Sequence, residues 1–388
     1  MYICEHMSTV IPILTPVPSR TPGQRDVLGL TAPPMETIRI AVIGLGARGR
    51  QALARLSRIP GASIKVLSDS ESDTHAACAN PEVDLVYICT DWANHVPIAL
   101  EAMDNGKHVA VEVPAAHTLE DIWALVDKAE QKRLHCMMLE NSVYDSFERT
   151  AIRMARSGVF GEIVHAEGAY LHRIDFGLEP WRLEFNREHR GDIYPTHGFG
   201  PVCQALGIHR SDSLLTLVSM DSAALSGKAL TGEEGFANAD QTTTLIKTAA
   251  GRTIVLEHNI MNPRPYSRMF QIVGTSGYIA KYPVPQTCLL DSDGQERLYE
   301  GAELEALMAE YAPEGLPEEL RSVAQEADAR HGGMDFLMDW RLVTALREGR
   351  PLDMDVYDLA EWCAIAPLSH LSLSHGSAPV SFPDFIRK

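Results

Sequence analysis

A chain of 388 residues is long for one hydrophobic core, so two domains are expected, and 45% apolar with 22% charged residues is the balance of a soluble globular protein. A formal charge of −18 excludes partners that need basic patches, nucleic acid and acidic membrane surfaces above all, and no run approaches the roughly 18 apolar residues of a membrane span. The ligand to expect is small and neutral or weakly charged.

Residues 1–36 are rich in proline, serine and threonine and read as an extended arm with little core of its own. Glu5 and His6 stand where the basic region of an export signal belongs, and Pro12, Pro16 and Pro18 interrupt the apolar residues around them. A cytoplasmic location follows, with export open if this start is trimmed or misassigned. The seven cysteines, at 4, 78, 89, 136, 203, 288 and 363, are odd in number and never spaced C-x-x-C. They read as thiols in a reducing compartment.

From Ile38 the apolar run Ile38–Ile43 feeds Gly44-Leu45-Gly46-Ala47-Arg48-Gly49, then a helical segment from Arg50 to Arg58 and a second strand ending at Asp69. A strand, G-x-G-x-x-G and a helix make the first unit of a dinucleotide-binding fold. Gly44 permits the tight turn, Gly46 a close approach to pyrophosphate, and Gly49 close packing of helix on strand. Free N–H groups at the helix start favour phosphate. Asp69 lies 25 residues after Gly44, where a carboxylate receives a ribose hydroxyl and repels a 2′-phosphate, so NAD is expected rather than NADP.

Further strands follow at Leu85–Thr90, Lys107–Val113 and His135–Asn141, separated by helical patterns near Pro97–Met103 and at Leu119–Lys132. This alternation predicts a doubly wound parallel sheet, a Rossmann domain over residues 37–157. Near Gly158 the pattern changes. Strand-like segments at Glu162–Ile174, Thr242–Ile260 and Met269–Tyr282, followed by helices at Gly333–Glu348 and Asp355–His370, predict an α+β domain over 158–388 with a largely antiparallel open sheet.

Chemistry should cluster where parallel strands end: at Thr90-Asp91-Trp92-Ala93-Asn94-His95, at Glu112-Val113-Pro114 and at Glu140-Asn141. In the second domain, Arg190-Gly191-Asp192-Ile193-Tyr194-Pro195-Thr196-His197 is the strongest cluster. A helix beginning near Pro195 puts Tyr194 and His197 on one side, and a hydroxyl beside an imidazole suits proton transfer at a sugar hydroxyl. Tyr170, Trp181, Arg182 and Asn262–Tyr266 supply aromatics and charges suited to gripping a ring-shaped ligand, although from the residues alone each reads more readily as packing or turn. The fifteen histidines supply no H-E-x-x-H and no tight Cys/His pair, so no metal is expected.

The Rossmann unit, the E-x-P after the fourth strand and a histidine-bearing helix in the second domain together resemble the Gfo/Idh/MocA oxidoreductase superfamily. The segments EVPAAHTLEDIWALVDKAE, MMLENSVYD, GDIYPTHGFGPV, NPRPYSR and HGGMDFLMDWRLV look like glycoside hydrolase family 109, the NAD-dependent α-N-acetylgalactosaminidases. The likeness runs from about Ile38 to the C-terminus. Two departures separate the chain from the superfamily's dehydrogenases. Val113 stands where they usually carry a proton-transferring lysine, and Ile193 where they usually carry an aspartate four residues before the histidine.

The resemblance implies that NAD+ takes a hydride from C3 of the sugar and so acidifies the C2 hydrogen. Elimination of the C1 leaving group, water addition and hydride return then complete a hydrolysis with no net redox change, one of the NAD-dependent exceptions to the two-carboxylate mechanism. By the same resemblance His197 is the base at the C3 hydroxyl and Tyr194 its neighbour in proton transfer. Tyr170, Arg190, Pro195, Thr196 and Tyr266 join them in holding the sugar. Gly44, Gly46, Ala47, Arg48, Gly49, Asp69, Asp91, Trp92, Ala93, Asn94, His95, Glu112, Val113, Asn141 and Tyr194 line the nucleotide. Superfamily analogy also implies a homodimer through the open sheet face. The competing readings are a net sugar dehydrogenase of the same superfamily and a sugar or NAD sensor without chemistry.

Overall fold

In a computed structural model that describes residues 12–174, 180–232 and 235–387, the first strands are β1 (Ile38–Ile43), β2 (Ala62–Ser68), β3 (Leu85–Ile88), β4 (His108–Val111) and β5 (Cys136–Met138). They form a parallel sheet in the order β2-β1-β3-β4-β5. β3, β4 and β5 are buried at every residue, as strands covered by helices on both faces must be. The chain leaves β1 in one direction to reach β2 and in the other to reach β3, so a crevice opens between β1 and β3 at their carboxyl ends. The helix after β1 begins at Ala47, three residues ahead of the sequence expectation, because the extended Gly46 already serves as its N-cap. Leu119–Lys132 is a helix as expected, with the Thr118 hydroxyl accepting from the Asp121 N–H.

The second sheet has nine strands: β6 (Ile163–Leu171), β7 (Leu214–Asp221), β8 (Thr242–Thr248), β9 (Thr253–Asn259), β10 (Gln271–Gly274), β11 (Gly277–Ala280), β12 (Gln286–Leu290), β13 (Glu296–Glu300) and β14 (Val380–Ser381). Their order is β13-β12-β11-β10-β6-β9-β8-β7-β14, antiparallel throughout except for the β6–β9 pair. The helix Thr196–Leu206 lies directly on β6. A Cβ on Gly198 would stand 2.3 Å from the Ala169 nitrogen, and one on Gly168 would stand 2.3 Å from the Gly198 oxygen. Two glycines therefore let backbone meet backbone, which brings the first turn of that helix down onto Tyr170.

The C-terminal helices return to the first domain. Met334–Glu348 packs on the helix Ala47–Leu56, joined by the buried Arg55 Nε to Asp339 pair at 2.7 Å, and the Tyr87 hydroxyl donates to the same Asp339 at 2.8 Å. Val356–Ser374 packs on Leu119–Lys132 and β5. The described part of the arm, from residue 12, is strapped to this surface: Ile13 bridges to Val380, Arg20 pairs with Glu130 at 2.8 Å, and Val27 is buried. Residues 1–11, Cys4 among them, lie outside the described residues. The six described cysteines are free, and no described helix is long and apolar enough to cross a membrane.

Candidate active site

The nucleotide crevice is built from the first glycine turn. Gly44 has φ +88°, and a Cβ there would lie 2.7 Å from the Cys89 carbonyl; a Cβ on Gly49 would lie 1.8 Å from the Gly44 oxygen. Both glycines are required by the chain's own packing. Gly46 is not, because nothing lies within 4 Å of a Cβ placed on it. That open space sits at the start of Ala47–Leu56, a helix with no side-chain cap and no acidic residue in its first turn. Unpaired N–H groups, a favourable dipole and room for an approaching group fit a pyrophosphate. Asp69 follows β2 and is exposed. One of its oxygens accepts from the Leu45 N–H at 2.8 Å, which fixes the turn and leaves the other oxygen for a ribose diol.

The remaining expected nucleotide residues divide between surface and support. Asp91 caps the helix Trp92–Asp104 and holds the Asn94 amide at 2.8 Å, with Ala93 exposed between them. Trp92 Nε1 donates to the Val113 carbonyl at 3.1 Å. His95 is buried with its two ring nitrogens 3.0 Å from the Pro114 oxygen and 3.1 Å from the Thr90 oxygen, so it ties the ends of β3 and β4 together. Arg48 Nε donates to Glu112 at 2.6 Å and its Nη1 to Asp335 at 2.5 Å, while Asn141 donates to the other Asp335 oxygen at 2.5 Å. Burial pushes the Asp335 carboxyl up, but His331, Arg48 and Arg55 outweigh it and hold the group below the usual carboxylate range. Loops after β1, β4 and β5 are thus joined through one aspartate of a C-terminal helix, which the sequence reading did not single out.

Across the crevice stands His197, in the first turn of Thr196–Leu206, with Pro195 as the N-cap. Its Nδ1 lies 2.6 Å from Glu140 Oε1. The same oxygen accepts the Ser142 N–H at 3.1 Å and the Ser142 hydroxyl. Glu140 has no solvent exposure. Burial pushes its carboxyl up, and the His197 charge with the His197 and Ser142 hydrogen bonds more than reverses this, so it stays ionised. A carboxylate can only accept, so Nδ1 carries a proton and Nε2 is the nitrogen left to exchange one. The Tyr194 hydroxyl lies 3.3 Å from that Nε2. Glu140 is the residue sequence reading left without a role; its signal was its place at the end of β5.

Aromatic rings surround the imidazole. Tyr170 is centred 5.1 Å from the His197 ring and 4.8 Å from the Tyr194 ring, and Tyr266 is 6.3 Å from Tyr170 at a half-open rim. Behind Tyr194 lie Trp92, stacked at 5.7 Å, and the Arg182 guanidinium 5.4 Å from the phenol ring. Burial raises the Tyr194 hydroxyl to about 12 despite Arg182, so it stays protonated as a donor. Thr196 is buried beside His197. Of the expected sugar residues, Tyr170, Tyr194, Pro195, Thr196, His197 and Tyr266 come together. Arg190 makes a two-point pair with Asp221 at the end of β7, at 2.6 and 2.8 Å. Two open grooves, of 510 and 460 Å³, flank the helices Glu318–Ala327 and Met334–Glu348, and neither is lined by His197 or Tyr194.

Residues 38–140 match the oxidoreductase family with an NAD-binding Rossmann fold, and residues 173–388 match the glycosyl hydrolase 109 C-terminal domain. Glycosyl hydrolase family 109 protein 1 of Bacteroides fragilis is 46% identical, covering 98% of this chain and 92% of its own. The family 109 protein of Porphyromonas gingivalis is 47% identical, covering 97% and 90%. Among solved structures, levoglucosan dehydrogenase in complex with NADH and levoglucosan superposes with a TM-score of 0.67 at 17% identity, covering 90% of this chain and all of its own. An oxidoreductase from Agrobacterium radiobacter with NAD+, L-tartaric acid and magnesium gives 0.67 at 16%, covering 89% and 98%. Those two likenesses speak for the fold. With its first domain an NAD-binding Rossmann fold and 46–47% identity to those relatives over nearly its whole length, the chain belongs to glycosyl hydrolase family 109.

Proposed function

We propose that this NAD-dependent glycoside hydrolase releases terminal α-linked N-acetylgalactosamine, starting and finishing at C3 of the sugar. The observation that carries the reading is the hydrogen-bonded series Glu140–His197–Tyr194, which leaves one basic nitrogen aimed into an aromatic cleft beside the nucleotide crevice. NAD, when bound, supplies a hydride acceptor for C3 and the source of its return. His197 Nε2 takes the C3 hydroxyl proton, and Glu140 stabilises the imidazolium that results. Tyr194, protonated and within reach of Nε2, relays protons between the imidazole and the sugar. Val113 and Ile193 are 6% and 3% exposed and carry no proton. Proton handling at C3 is therefore left to the His197 series, which suits a cycle that returns what it takes.

The test follows nitrophenol and NADH together while the NAD-loaded protein acts on p-nitrophenyl α-N-acetylgalactosaminide. Nitrophenol release without net NADH, with deuterium at C2 exchanging into solvent, is expected. Stoichiometric NADH without nitrophenol would instead establish a net dehydrogenase. His197→Ala should abolish turnover and leave NAD bound, because the residue lies outside the Rossmann sheet; loss of NAD in that variant would show the site to be misplaced.

A further inference from the structure

Beyond Tyr170 the covered face of the second sheet carries polar groups that the proton series does not use. Tyr170 of β6 is aligned with His258 of β9, and His258 with Thr242 of β8, so the three side chains share one face. His172, two residues past Tyr170, packs against Tyr170 at 4.8 Å and Tyr266 at 5.2 Å. His258 is 1% exposed, and both its ring nitrogens lack a hydrogen-bond partner. The same holds for His172 Nε2 and the Thr242 hydroxyl. Buried polar atoms are rarely left unpaired, and such a cluster beside a reacting centre marks a place where a ligand completes the bonding.

We infer that His172 and His258 form the subsite that reads an N-acyl substituent on the sugar. This rests on the glycosidase reading above and names the side chains that would give it selectivity. An acetamido group brings one N–H donor, one carbonyl acceptor and a methyl group. Burial holds both imidazoles neutral, His258 down to about 3 and His172 below its ordinary value, so each offers one donor and one acceptor. A separate apolar cluster of Phe236, Ile260 and Met261 packs against Tyr170 and suits the methyl. The row deepens from the rim inwards, from Tyr266 through half-buried His172 to His258. Neutral rings give no attraction for a carboxylated sugar, which separates this subsite from one for uronic acids.

The experiment compares NAD-loaded full-length protein with its His258→Phe, His258→Asn and His172→Phe variants. kcat/KM is measured on p-nitrophenyl α-N-acetylgalactosaminide and p-nitrophenyl α-galactoside, and Kd for N-acetylgalactosamine and galactose by calorimetry. Either phenylalanine variant should cut the preference for the N-acetyl sugar about tenfold or more, the effect of leaving an amide group unpaired. His258→Asn, which keeps a donor and an acceptor, should recover part of it. An unchanged preference, or equal losses on both sugars, would overturn the inference. Should the wild type hydrolyse neither glycoside, the glycosidase reading falls, and the binding preference alone decides the subsite: its presence in the wild type and loss in the variants support it, its absence refutes it.

Discussion

Glu140→Gln tests the core of the site with the smallest change available, since it removes a charge and keeps the shape. In the native protein Oε1 receives the His197 Nδ1–H at 2.6 Å together with the Ser142 N–H at 3.1 Å, all without solvent exposure. A hydrogen bond to a charged group contributes about 1.5–3 kcal/mol and a neutral one about 0.5–1.5 kcal/mol, so the amide forfeits about 1–2 kcal/mol of support for the imidazolium. At about 1.4 kcal/mol per tenfold in rate, kcat should fall about fivefold to thirtyfold on charge alone. It falls further, towards about a hundredfold, if the amide nitrogen turns to Nδ1 and forces the proton onto Nε2. On the proposed reading the ground-state contacts to the sugar lie on Tyr170 and Tyr266, so KM should stay within about threefold. The assay is steady-state nitrophenol release by protein of matched NAD content. A kcat within twofold of wild type, or a loss confined to KM, would show that Glu140 neither orients nor charges the imidazole and would remove the dyad from the mechanism.

Three further changes probe the nucleotide crevice and the loop that carries Tyr194. A Cβ on Gly46 meets nothing within 4 Å and the residue sits at an ordinary φ of −61°, so in Gly46→Val Tm should hold while NAD affinity drops at least a hundredfold; NAD bound as tightly as before would disprove the pyrophosphate assignment. Asp69→Ala removes one charged acceptor of a ribose hydroxyl and the anchor of the Leu45 N–H, and NAD retained through gel filtration should weaken roughly tenfold; equal occupancy would deny Asp69 that role. Asp192 is buried with no partner at ordinary hydrogen-bond geometry for either carboxyl oxygen, and burial, only partly offset by the Tyr194 N–H, raises it to about 7. The folded chain then keeps a proton that the unfolded chain loses near pH 4, so this contribution is whole below that point and gone once pH has risen through about 7. Spread over about 3 pH units it is worth up to about 4 kcal/mol. Between pH 4.5 and 8 the wild type should lose Tm relative to Asp192→Asn, and parallel curves for the two proteins would refute the buried acid.

Local chemistry made much of this visible in the sequence. The Thr118 cap is set by a neighbour three residues away, and the glycine turn and the terminal Asp69 by a motif of fixed spacing, so their structures follow directly. Tyr194 and His197 were legible as a pair because a helix start fixes their geometry. What stayed hidden depends on distant pairing. Glu140 reads as one more polar residue after a strand until the fold brings His197, 57 positions later, against it. Asp335 sits in an apolar-looking helix, 287 positions from the Arg48 it binds. The strands β12 and β13 gave no signal because they lie at and next to the sheet edge, where β13 is largely exposed and carries charged and apolar residues without a buried face. β9 follows β8 through a tight turn, yet its other neighbour is β6, parallel and some 90 residues away in sequence, which no hairpin signal could foretell.

The Arg48–Asp335 and Arg55–Asp339 pairs pose a question that stability does not answer. Withdrawing such charges from water costs as much as their attraction returns, so a buried pair of this kind is weak support for a fold. Their position supplies another reason. Arg48 opens the helix that faces the pyrophosphate, yet its guanidinium is taken up by Glu112 and Asp335, so backbone N–H groups are left to receive the phosphates. Asp335 in turn fixes Asn141, the residue after Glu140, and Glu140 fixes His197. Two sets of hydrogen bonds, Arg48–Asp335–Asn141 and Glu140–His197, are thereby joined through the peptide bond between Glu140 and Asn141, linking the first helix to the base. On the proposed route a nucleotide oxidised at the start must be oxidised again at the end, with the same sugar carbon still in front of it. Exchange of nucleotide between those moments would strand a ketone, so that route calls for a crevice that opens little, and tying the segments after β1, β4 and β5 to one aspartate suits that need.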